Sequence, residues 1–130
     1  MEGMDSILTL IKKLLGIEPE VTNFDVDITI HINSVLMILT QAGVGPATGF
    51  VITGPDEKWT DFLGDTIMLE SVKTYIYQKV RLIFDPPTIA TVLEAMERNI
   101  AEFEWRLNAE ADKPVPVPVV VTEEEVWYVS

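Results

Sequence analysis

The sequence contains no cysteine and a single histidine, His31, in 130 residues. Without thiols there is no disulfide framework and no thiolate metal site, and the composition suits a chain made in a reducing cytosol. One imidazole leaves His-based metal centres and nucleophilic triads short of partners. Neither a Gly-x-Ser-x-Gly elbow nor a Gly-rich phosphate loop is present. Basic residues are scarce: nine Lys and Arg stand against 21 Asp and Glu, a net charge of −12. That argues against a protein whose main task is to grip nucleic-acid phosphates. Long apolar runs are missing too. The longest, Ile28 to Leu39, is interrupted by His31, Asn33 and Ser34 and falls well short of the roughly 20 residues a membrane span needs. The start, Met1-Glu2-Gly3-Met4-Asp5, lacks the cationic opening of a secretory signal.

What is present is apolar side chain, 48% of the total. That is too much for a disordered acidic chain and enough for one domain with a core. Asp5 or Ser6 is placed to cap a first helix ending near Leu15, with Gly16 as its stop and Lys12 and Lys13 in the last turn. Asp25 to Ile32 alternates like a strand. The wider spacing of Ile28, Ile32, Val35, Leu36, Leu39 and Ala42 predicts instead a helix over about 24–42, capped by Asn23 or Asp25. Gly43, Gly45, Pro46, Gly49 and Gly54 break the stretch from 43 to 57 into an adaptable loop, in which Phe50–Thr53 forms a short strand or packs back on the bundle. Pro55-Asp56-Glu57 reads as the start of a short helical turn holding Trp59 and Phe62.

Met68, Val72, Tyr75, Ile76, Lys79, Val80 and Ile83 mark the next helix, which Asp85-Pro86-Pro87 ends. Thr88 is the expected cap of a last helix whose stripe runs Ile89, Val92, Leu93, Met96, Ile100, Phe103, Leu107. The fold class expected is therefore all-α, a small bundle of four to five helices over residues 1–112, followed by an extended Pro/Val-rich arm over 113–130. Pro114 to Pro118 extends that arm, and Val119, Val120, Val121 and then Val126, Trp127, Tyr128 and Val129 follow. The arm reads either as a charged, disordered tail or as a segment that docks on a partner. The aromatic and valine residues favour docking.

Chemistry-bearing residues are few. His31 has only Asp27 one turn before it, which is a surface or half-buried pair rather than a metal site. Glu94 and Glu97 on the last helix supply one Glu-x-x-Glu turn of the kind that holds Mg²⁺ in all-helical nucleotide pyrophosphohydrolases. The facing helix offers only Glu70. Glu94→Arg98 and Glu102→Arg106 are spaced as i,i+4 pairs, so a solvated face is the better reading of Glu94, Glu97, Glu102 and Glu104. No catalytic residue, cofactor or metal is expected. Trp105 lies off the apolar stripe, with Ala101 and Ala109 one turn away on either side. Something should cover it, either another part of the chain or a neighbouring subunit.

With the helices placed, two segments carry a resemblance. The turn Val80-Arg-Leu-Ile-Phe-Asp-Pro-Pro87 and the ending Glu104-Trp-Arg-Leu-Asn108 lie in a helix order that resembles the small head–tail connector proteins (adaptor, or head-completion, proteins) of long-tailed bacteriophages and their prophages. The similarity spans about residues 5–108. The resemblance implies a non-enzymatic virion protein of the neck, made in the bacterial host cytoplasm. It implies a homo-oligomeric ring, typically of twelve, that binds the portal protein, extends the DNA channel and presents a platform to a stopper or tail-completion protein. DNA would pass without specific binding, and no membrane is involved. A small acidic adaptor or inhibitor that mimics DNA is the alternative, with the Mg²⁺-dependent pyrophosphohydrolase behind it.

Overall fold

The computed structural model describes residues 5–64 and 66–111. Five helices follow one another: α1 Ile7–Leu14, α2 Asp25–Gln41, α3 Trp59–Phe62, α4 Met68–Phe84 and α5 Ala90–Ala111. No strand occurs among the described residues, so the chain is a small all-α bundle. Phe50–Thr53 takes the second of its two expected forms and packs back as loop.

The core forms where α1, α2 and α4 meet. Ile7, Leu8 and Ile11 of α1, Ile28, Ile32, Val35, Leu36 and Leu39 of α2, and Val72, Tyr75, Ile76 and Val80 of α4 are all but fully buried. Each set recurs at spacings of three and four, so each helix turns one continuous side inward. Helix α5 joins this trio as the second arm of a hairpin. Residues 85–89 turn the chain, after which Tyr75 meets Phe103 with ring centroids 4.9 Å apart.

The ends of the helices correct several local expectations. Ser6 caps α1 as expected, accepting from the Thr9 amide at 3.1 Å, and Gly16 follows it at φ +85°. Helix α2 has Phe24 at its cap position and no side-chain cap; Asn23 and Asp25 do not serve. Asp25 is otherwise engaged, because the ammonium of Lys12 lies 2.8 Å from its Oδ1 and 3.1 Å from the Pro19 carbonyl. Lys12 has only 4% of its side chain exposed, and a buried cation without an opposite charge would be far costlier than an uncapped helix.

Pro55-Asp56-Glu57 does not open α3, which starts at Trp59. The backbone there pairs with the chain's first described residues instead. The Ile7 amide donates to the Glu57 carbonyl at 3.1 Å and the Trp59 amide to the Asp5 carbonyl at 3.0 Å. Helix α5 starts one residue later than a Thr88 cap would require, with the Ile89 carbonyl accepting from the Leu93 amide at 3.0 Å. Ile83, Ile89 and Val92 were expected inside and are exposed, while Leu69 takes the buried place at the start of α4. Ile89 and Val92 share the stripe of Met96 and Ile100, but Ile89 sits just before α5 and Val92 in its first turn, beside the connection from α4.

The loop from 43 to 57 is held down at several points. Phe50 packs on Phe62 with centroids 5.3 Å apart, and Val44 and Ile52 are buried. Gly45, at φ +86°, passes so close to Phe62 that a Cβ there would lie 2.5 Å from the ring. Only glycine accommodates both that backbone angle and that contact.

Candidate assembly surface

Two exposed apolar surfaces and one polar cross-link stand out on the bundle. The first surface is on α5. Trp105 is 69% exposed, and Ala101 and Ala109, one turn on either side, are exposed with it. Phe103 and Leu107 face inward, so Trp105 projects from the opposite side of the same helix. None of the loop residues 43–57 covers it. Val119, Val120, Val121, Val126, Trp127, Tyr128 and Val129 lie outside the described residues.

The second surface was not foreseen. Val26, Ile30 and Met37 are exposed, Val26 at 72%. At about 100° per residue they form a stripe nearly opposite the buried Ile28, Ile32, Val35 and Leu39. Helix α2 is therefore apolar on two sides. This explains the strand-like alternation at its start: Ile28 and Ile32 point inward while Val26 and Ile30 point outward. The alternation was the visible signal, and it marks a second face.

The outer stripe of α2 continues into a groove with the loop. Asn33, Met37, Thr40, Gln41, Phe50 and Val51 are among its lining, which contains no charged residue, and it holds about 360 Å³. Two of its polar side chains spend their bonds within the protein. Asn33 Nδ2 donates to the Ile52 carbonyl at 2.9 Å and its Oδ1 accepts from the Ile52 amide at 2.8 Å. The Thr40 hydroxyl donates to the Leu36 carbonyl at 3.0 Å. What remains for an incoming group is the hydrocarbon of Met37, Phe50 and Val51, with the polar side chains of Gln41 and Thr48 beside it.

The acidic residues divide in the same way. Glu102 pairs with Arg106 on the solvent side at 2.6 Å, as its spacing predicts. Glu104 does not belong to the solvated face. Its Oε2 accepts from the Tyr75 hydroxyl at 2.7 Å and lies 3.3 Å from the ammonium of Lys79, tying α5 to α4. Burial, then the hydrogen bond and negative charge of Glu104, push the Tyr75 phenol well above its ordinary value. Glu70 pairs with Lys73 at 3.3 Å. Among the described residues no three metal-ligating side chains come together, and no helix is long and apolar enough to cross a membrane.

Residues 7–114 match the model of the family described as phage connector protein. The chain belongs to that family. The match covers most of the molecule, from the first residue of α1 to just past α5. No curated protein and no solved structure matches the chain. As a phage connector protein it has a structural role at the junction of head and tail, in keeping with the earlier resemblance through the Val80–Pro87 turn and the Glu104–Asn108 ending.

Proposed function

We propose that this connector protein is the subunit of a ring that docks beneath the portal, extends the DNA channel and offers its far side to a stopper or tail-completion protein. Trp105 is the observation that carries this reading. A tryptophan held in water on a helix side that ends in small residues is the kind of group that dominates protein interfaces. Neighbouring subunits would pack through this side of α5, with Ala101 and Ala109 permitting close approach. The outer loop residues around Gly43, Gly49 and Gly54 would adjust to the lumen or to the next ring. Residues 113–130 would act as an arm separate from the helical domain of 1–112. Val119–Thr122 or Val126–Val129 would pair with an exposed strand edge on the portal or an adjacent protein.

The charge of −12 per subunit suits this role. A ring of such subunits presents DNA with a wall that repels its backbone, so the duplex passes without being held by phosphate contacts.

Electron microscopy of portal particles incubated with the protein tests the proposal. The full chain should add a ring of defined stoichiometry. Trp105→Glu should abolish it while leaving unfolding within about 0.5 kcal/mol of the parent, since the side chain is exposed. Deleting residues 114–130 should leave a folded helical domain that no longer joins the portal. A truncated chain that assembles as well as the full one would remove the arm from the mechanism. An unchanged ring with Trp105→Glu would remove the α5 interface.

A further inference from the structure

The groove between α2 and the loop needs an apolar occupant, and the chain itself carries one. Residues 112–130 follow α5 and include one uncharged aromatic run, Val126-Trp127-Tyr128-Val129. The end of α5 is close to the groove. Leu107 and Asn108 line a cleft with Ile38, Gln41 and Ala42 at the end of α2, and Gln41 also lines the groove itself. The two hollows are therefore adjacent, and the chain leaves α5 at Ala111, one turn beyond Leu107. Trp127 lies sixteen positions beyond Ala111, a reach of up to about 50 Å when extended, far more than a neighbouring groove demands.

We infer that the segment Val126–Val129 docks in cis in the groove formed by Met37, Thr40, Gln41, Phe50 and Val51 of its own chain. Three features agree. The groove bears no charge, and the four residues of the segment bear none. Its Asn33 and Thr40 side chains are already bonded to backbone, so an aromatic ring entering it leaves both satisfied. The tether makes the segment's effective concentration high where a separate molecule would have to be recruited. Docking hides the exposed side of Met37 and the groove-facing parts of Phe50 and Val51, together with an aromatic run that is costly to leave in water. The inference does not rest on the role at the head–tail junction. If both hold, the same segment is masked in the free subunit and must leave its groove before it reaches the portal.

The absence of cysteine makes the test direct. Ser130→Cys in the full chain gives one attachment point for a nitroxide, and the methionine methyl groups serve as NMR probes. With the label in place, the Met37 methyl should lose most of its intensity while Met96, toward the far end of α5 from Ala111, keeps its own. Adding Trp127→Ala and Tyr128→Ala to the labelled chain should restore Met37. Mixing labelled chains lacking the isotope with unlabelled isotopic chains separates the two sources of broadening. Loss of Met37 intensity only within one molecule supports docking in cis. Loss that appears equally in the mixture assigns the groove to a second copy and overturns the inference. An unperturbed Met37 in every sample overturns it as well.

Discussion

Helix α2 buries Ile28, Ile32, Val35, Leu36 and Leu39 to within 1% of full burial, whereas α5 leaves Met96, Ile100 and Leu107 at 5–7% and holds Val92 and Trp105 out in solvent. Both are long helices with an apolar stripe, and both also carry apolar residues on the outside. The difference lies in what each packs against. α2 is enclosed by α1 and α4 and takes the loop from 43 to 57 on its flank, while α5 leans chiefly on α4. An inner trio sets the fold, and an outer helix is attached to it. Such an arrangement leaves one side of α5 exposed without placing the core at risk.

The largest expected contrast is between core truncations in the two regions. Leu36→Ala should cost about 2–5 kcal/mol, because its cavity is closed on all sides. Ile100→Ala, at the margin of the core, should fall near the lower end, about 2 kcal/mol, since water and neighbouring side chains can fill the space. Urea unfolding with unchanged slope checks both. Equal costs would mean that α5 is as integral to the core as α2.

Ion pairs should separate the regions next. Asp25→Ala strands the buried ammonium of Lys12 with only the Pro19 carbonyl as partner, and should cost about 2–3 kcal/mol. Lys12→Met strands the buried Asp25 Oδ1 and the Pro19 carbonyl in turn, so only replacing both partners by apolar residues should come close to neutral. Glu102→Ala breaks an equally short but exposed pair on α5 and should cost no more than about 0.5 kcal/mol. A double-mutant cycle at each pair measures the difference.

These contrasts also show what the residues reveal before any coordinates. The stripes of α1, α2 and α4 were legible because burial follows helical spacing, and Gly16 and Pro86 mark their ends plainly. Trp105 was legible as an outlier from its stripe. Depth was not. Ile83, Ile89 and Val92 obey the same periodicity as buried residues, and only the relative lengths and placement of α4 and α5 leave them outside. Lys12 reads from the sequence only as a last-turn cation of α1, and Glu104 as part of a solvated face, because their partners, Asp25 and Tyr75, are 13 and 29 positions away in the chain. Local spacing carries no trace of such pairs. The outer face of α2 was visible only as an ambiguity between strand and helix.

The bond that joins the two regions offers a smaller and more selective test. Tyr75→Phe keeps the ring stacked on Phe103 and removes only the hydroxyl that donates to Glu104. The loss should be about 1.5 kcal/mol, typical of a hydrogen bond to a charged group. Its signature is regional: amide hydrogen exchange should quicken along α5 around Glu104 while the amides of α2 keep their protection. Uniform acceleration of both helices would mean that α5 opens only with the whole domain, and the division into trio and outer helix would fail.

The smallest expected effect tests whether the loop belongs to the inner trio. Glu57 accepts from the Thr53 hydroxyl at 2.8 Å and the Thr53 amide at 3.1 Å, closing the loop just before α3. Desolvation pushes this carboxyl up. The bonds from Thr53, with those from the Glu57 and Gly54 amides, outweigh it and hold the group below its ordinary 4.5. A depressed carboxylate stabilises the fold fully above its unfolded value, and the contribution disappears as pH falls through the lower, folded one. The Thr53 amide should therefore exchange faster as pH drops below the ordinary glutamate range, relative to the intrinsic rate, and Glu57→Gln should flatten that response. Because the Glu57 carbonyl also holds the Ile7 amide at 3.1 Å, the key question is whether loosening at Thr53 spreads to α1. If exchange quickens at Thr53 alone, the loop is a local clasp laid on a rigid trio. If Ile7 follows, the loop is part of the element that fixes α1 in place.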